Sequence, residues 1–167
     1  WEPTSPTRAQ LSLIDIKRAY FNARVDRKAA PCFVDLPPGD PDHGDMCGEL
    51  LRHMYGTCMA ADGWQEECSP LLIRLGFRQG ASCPNVFHHD PKGIACSVHG
   101  DDFTAAGPKD ALDWYEKIMK EHYELTTQPR LGPGPDDAKE AVVLNRGIRW
   151  GERGVECEAD PRQAEKL

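Results

Sequence analysis

The chain has 167 residues, 40% hydrophobic and 28% charged, long enough to bury one sizeable core and too apolar to stay disordered. Its net charge of −7 speaks against tight autonomous binding to nucleic acid, and no apolar run approaches a membrane span. Seven cysteines, odd in number and without a CxxC pair, exclude the usual zinc module and disulfide framework and read as buried free thiols.

Charge is unevenly spread. Residues 8–28 carry Arg8, Lys17, Arg18, Arg24, Arg27 and Lys28 against Asp15 and Asp26, whereas residues 35–67 carry eight acids against Arg52 alone. Nucleic-acid contact would therefore lean on the first of these segments or on cations outside this sequence.

In chain order, residues 1–10 form an irregular polar opening. "LSLIDI" (11–16) alternates and is rich in β-formers, which predicts a strand ending on Asp15 and Ile16. "KRAYFNARV" (17–25) is a short helix, and "PCFVDL" (31–36) a second strand closed by Pro37, Pro38 and Gly39. Residues 40–45 are a loop, and "CGELLRHMYG" (47–56) reads as a helix that Gly56 stops. Residues 60–77 carry a helical stripe at Trp64, Cys68, Leu71, Leu72 and Leu75, with Pro70 set to kink it unless a new helix begins there.

"NVFHHD" (85–90) and "KGIACSV" (92–98) are two strands joined around Pro91 and Gly93, and "HGDD" turns the second into "FTAAG" (103–107). His88 and His89 point to opposite faces of a strand and read as structural; Trp64, Tyr55 and Trp114 read as core aromatics. "PKDALDWYEKIMKEHY" (108–123) is the clearest helix, with Pro108 in its first turn and Leu112, Tyr115, Ile118 and Met119 facing inward. Residues 131–137 are a Gly/Pro loop, and 141–150 with 154–158 form a last hairpin through Gly151. Asp160 and Pro161 open a helix that the sequence leaves mid-element, so a longer protein is expected.

The side-by-side acids Asp101 and Asp102 are poor strand formers, and a turn needs one of them at most. A two-residue type II′ hairpin centred on Gly100 and Asp101 would place both carboxylates at its tip. If the strand of Asp15 lies beside it, three carboxylates converge. Close carboxylates resist joint ionisation unless divalent cations compensate, and hard oxygen donors select Mg²⁺. Two such ions about 4 Å apart form the clamp for in-line phosphoryl displacement. A lone Gly-Asp-Asp reads more simply as an ordinary polar turn.

The order of motifs adds to this. "LIDIKRAYFNA" (13–23), "FVDLPPG" (33–39), "LLRHMYGTCMAADGWQEECSPLLIRLGFRQGASCPNVF" (50–87) and "VHGDDFTAAG" (98–107) together resemble the reverse transcriptase of copia-type LTR retrotransposons. That family shows D-V-x-x-A-F, Q-P-P-G, L-Y-G-L-K-Q-A-P-R-A-W and Y-V-D-D in the same order. The resemblance runs from about residue 11 to the end, through "VLNRGIRWGERGVECEADPRQAEKL" (143–167). It implies an α+β fold, a ferredoxin-like palm whose antiparallel sheet carries helices on one face, with fingers and thumb largely outside residues 11–167.

It further implies an RNA-directed DNA polymerase of a Pol polyprotein. Asp15, Asp101 and Asp102 match the family's catalytic aspartates and would hold two Mg²⁺ ions. Tyr20 falls where the family places the aromatic that crowds the sugar 2′ position, with a core aromatic as the alternative reading of that residue. Met59 stands where a Gln is expected beside the incoming nucleotide, and Gly100 where the family has an apolar residue; Cys58 and Asp62 replace two cations and His99 a Tyr. The implied partners are an RNA or DNA template–primer, deoxynucleoside triphosphates and the rest of the polyprotein, with no membrane, in the cytoplasm (virus-like particles included) or the nucleus. The alternative is a degenerate or domesticated relative that folds without polymerising.

Overall fold

The computed structural model describes residues 9–28, 30–152 and 154–158. The chain divides into two compact units: residues 18–75, and a larger one built from the chain before residue 18 and after residue 75. The larger unit begins with strand β1 (Ala9–Ile16), whose last four residues before Lys17 include the buried Leu13, Ile14 and Ile16. It starts two residues earlier than the alternation predicts.

The 18–75 unit follows. Its elements are helix α1 (Ala19–Asn22), strands β2 (Phe33–Asp35) and β3 (Cys47–Glu49), and helix α2 (Ala60–Arg74). The helix expected over 47–56 does not form. Backbone groups there are engaged by earlier chain instead: β3 pairs antiparallel with β2, Leu50 N donates to Cys32 O, and His53 N donates to Ala23 O. Gly48, a poor helix former, lies within that pairing. Tertiary pairing has overridden the local pattern. α2 carries the expected stripe, with Trp64, Cys68, Leu71 and Leu72 buried, and runs through the exposed Pro70 without a break.

The larger unit resumes with β4 (Arg78–Gln79), β5 (Val86–His89), β6 (Ile94–His99) and β7 (Asp102–Pro108), then helix α3 (Lys109–His122) and β8 (Leu125–Thr127). These strands and β1 make one antiparallel sheet in the order β4-β5-β6-β7-β1-β8. Strand alternation sorts the residues into two faces. One holds Ser12, Ile14, Cys96, Val98, Phe103 and Ala105, all buried, and α3 packs on it through Leu112, Tyr115 and Met119. A Cys96 Sγ to Tyr115 hydroxyl contact of 3.3 Å fixes that side. The other face presents Leu13, Asp15, Asp102, Thr104 and Ala106.

A polar clasp secures α3. Ser12 Oγ donates to Glu116 Oε1 at 2.6 Å, and Arg130 reaches Glu116 at 2.7 Å and Asp113 at 2.8 Å. Beyond the Gly/Pro loop lies a three-stranded sheet of β9 (Glu140–Val143), β10 (Arg146–Gly151) and β11 (Gly154–Cys157) in the order β11-β10-β9. Sequence reading takes 141–150 as one strand. Instead Leu144 and Asn145, with φ of 50° and 61°, make a tight turn between β9 and β10. Two successive left-handed residues mark the type I′ hairpin, whose hand suits the strand twist. The helix expected from Asp160 and most of the opening segment lie outside the described residues.

Candidate carboxylate site

The site forms where β1 meets the β6–β7 hairpin. His99 and Asp102 face each other across that hairpin, leaving Gly100 and Asp101 as its two turn residues. Gly100 takes φ 60° and Asp101 does not go left-handed, the φ pattern of a II′ turn. The ladder from β1 continues onto this turn. Asp15 is paired in register with Asp102, and Ile16 N donates to Asp101 O at 2.9 Å. Asp15, Asp101, Asp102 and Gly100 are thus brought together at one end of the sheet.

Residues directly opposed across antiparallel strands share a face. His99, Asp102, Asp15 and Thr126 therefore form a row across β6, β7, β1 and β8. Asp15 is exposed, and Asp101 and Asp102 are half-buried. Thr126 Oγ1 donates to Asp15 Oδ2 at 3.3 Å. Burial, then the negative charges of Asp101 and Asp15, push the Asp102 carboxyl above its ordinary range, while His99 pulls the other way. A cleft of about 50 Å³ adjoins the pair, lined by Leu13, Asp15, Asp102, Gln128, Val143 and Leu144.

Tyr20 and Met59 belong to the 18–75 unit. The Tyr20 ring lies 4.4 Å from that of Tyr55, and Met59 caps the start of α2 half-exposed. Tyr55 is itself 43% exposed, so it is no core aromatic; Trp64 is buried and Trp114 half-buried. His89 is buried, its ring 5.1 Å from both Phe77 and Trp114, as a structural histidine would be.

The cysteines depart from expectation: Cys68 and Cys96 are buried, but Cys47, Cys58, Cys83 and Cys157 are exposed. Burial pushes the Cys68 thiol up to about 12, leaving it without thiolate at neutral pH. No family model matches the chain. A search of curated proteins also finds no match.

The carboxylates supply only hard oxygen, the donor type of Mg²⁺. As placed, however, no group of three or more His, Cys, Asp or Glu side chains among the described residues is gathered to hold a metal ion. Sequence reasoning did not single out Thr126 or Gln128. The run "LTTQ" after α3, with two β-branched residues, is the signal that would have found the strand carrying Thr126.

Proposed function

We propose that the chain is the palm of a reverse transcriptase of the copia type, an RNA-directed DNA polymerase joining deoxynucleotides to a primer 3′-hydroxyl. The observation that carries this reading is the register of Asp15 against Asp102, beside the Gly100–Asp101 turn. The order β8-β1-β7-β6 within the antiparallel sheet, with α3 packed on one face, is compatible with it.

In this reading Asp15 and Asp101 hold two Mg²⁺ ions, with Asp102 as a secondary ligand. Bound there, the ions would activate the primer hydroxyl and offset the charge of the triphosphate. Tyr20 would stand against the sugar 2′ position, and Met59 beside the incoming base.

The test is Mg²⁺-dependent primer extension by a polypeptide carrying the natural flanking sequence. Asp15→Asn and Asp101→Asn are each expected to remove nearly all of it while the circular dichroism of the folded protein persists. Undiminished extension by either variant would overturn the assignment. A second reading, a palm-like module without polymerase activity, is favoured by the ungathered acids and by Cys58 and Asp62 standing exposed where cations are expected. Absence of extension by the unaltered polypeptide would decide for it.

A further inference from the structure

We infer that the 18–75 unit carries a binding cleft for a small dipolar phosphate ester, its phosphate held by Arg24 and Arg52 and its ammonium by Glu66 and Glu67. The pairing that builds the first wall is local. Val25 N donates to Leu51 O at 3.2 Å and His53 N donates to Ala23 O at 3.0 Å, which leaves Arg24 and Arg52 directly opposed between the two bonds. This is the antiparallel pair without mutual hydrogen bonds, in which Cα atoms approach to about 4.5 Å and side chains lie closest. Ala23, Val25 and His53 are buried, whereas both arginines are exposed on the opposite side of the pair. Like charges set directly opposite destabilise such a pairing. No described carboxylate relieves them by an ion pair; Arg52 Nη1 donates instead to the Asn22 carbonyl.

Helix α2 supplies the other wall. Gly63, Glu66 and Glu67 stand at the i, i+3, i+4 spacing of one helix face. A Cβ at Gly63 would collide with the His53 ring, so glycine there lets α2 come close to the segment that carries Arg52. With Asn22, these residues line a cleft of about 440 Å³. Glu66 and Glu67 are exposed and form no ion pair with a described cation. Two cations and two acids thus border one space without closing on each other. Its volume suits a small molecule, and a lining with no apolar side chain selects a polar one. A phosphate monoester brings nearly two negative charges and three acceptor oxygens, matching two guanidinium forks better than a carboxylate does. Glu66 and Glu67 would repel a bare phosphate and attract an ester that also bears an ammonium group. The cleft lies within one unit and does not depend on the polymerase reading.

The probes are O-phosphoethanolamine and inorganic phosphate, each titrated into residues 1–167 at low salt by isothermal calorimetry. Phosphoethanolamine is expected to bind saturably and about tenfold tighter than phosphate, the effect of one charge-assisted contact. Arg24→Gln should weaken both about tenfold while the circular dichroism of the chain persists. Glu66→Gln combined with Glu67→Gln should bring phosphoethanolamine down to the affinity of phosphate. Absence of saturable binding, equal affinity of the unaltered chain for the two probes, an Arg24→Gln variant as tight as the unaltered chain, or a preference that survives the double glutamine variant would each overturn the inference. Vesicles of phosphatidylethanolamine, whose phosphate is a diester with a single charge, are expected to recruit no protein. Recruitment by the vesicles without binding of the free ester would overturn the assignment to a soluble ligand.

Discussion

Asp102 sits between Asp15 and Asp101 with its carboxyl pushed above the usual range, first by burial and then by the two neighbouring charges. An acid whose folded value is raised contributes its stability at low pH and loses it as pH climbs through that value. At neutral pH the charged Asp102 therefore opposes folding. Asp102→Asn is expected to raise the melting temperature at pH 7 by about 1–3 °C, and the gain should vanish below the ordinary aspartate value of 3.8. Paired thermal melts at pH 3.5 and 7 check both halves. At Tyr20, Tyr20→Ala should raise ribonucleotide incorporation relative to deoxyribonucleotide in a polypeptide that extends primers. Unchanged discrimination would return Tyr20 to a packing role against Tyr55, whose ring lies 4.4 Å away.

α3 depends on more than its apolar face. Burial pushes the Glu116 carboxyl upward, but the hydrogen bonds from Arg130 and Ser12, together with the Arg130 charge, outweigh it and hold Glu116 below its ordinary value. A depressed acid gives stability that is present above its unfolded value and is lost as pH falls through the folded one. Acid melts should thus steepen below about pH 4.5, the ordinary glutamate value. Glu116→Gln should flatten that dependence while costing about 1–2 kcal/mol at pH 7 through the weakened bonds to Arg130 and Ser12. Urea titrations across pH 3–7 read both. α3 and β1 were legible in the sequence because their periodicities of 3.6 and 2 coincide with burial: Leu112, Tyr115 and Met119 on one, Ile14 and Ile16 on the other. The same local patterns misled at residues 47–56, where hydrogen bonds to residues 23 and 32 decide the conformation. They were silent on β8, too short for any period to show, and so missed Thr126. The paired acids stood out in the sequence because acids at a Gly turn are costly without a reason; that the strand of Asp15 would lie beside the hairpin followed only from the implied palm, and its register against Asp102 was not foreseen.

For the molecule as a whole, charge sets the expectation. In the proposed polymerase a triphosphate would bring about four negative charges to the three carboxylates, and two divalent ions would offset only four of the seven. Positions 58, 59 and 62 offer Cys, Met and Asp. Residues 1–167 alone are expected to extend no primer and to bind primer–template weakly, through the cations of residues 8–28. That binding should fall with salt along a log–log slope of about −2 to −4. Fluorescence anisotropy across a salt series tests it, and sub-micromolar affinity at physiological salt would refute it.

The pairing of β1 with β7 has one more consequence, for the newborn chain. Ile14 finds its partner Phe103 about ninety residues later, and Asp15 meets Thr126 later still. A ribosome adding about 5–20 residues per second would keep β1 waiting for roughly 5–20 seconds before its neighbours emerge. Through that interval "LSLIDI" is an apolar, β-prone ribbon with both edges open, the kind of segment that captures its own copies. Chains stalled before residue 100 should accumulate in inclusion bodies and enrich holdase chaperones, whereas release beyond residue 130 should restore solubility. The acid that closes that ribbon, Asp15, would then act twice: as a charge that discourages self-association during synthesis, and as part of the carboxylate site once the sheet has closed.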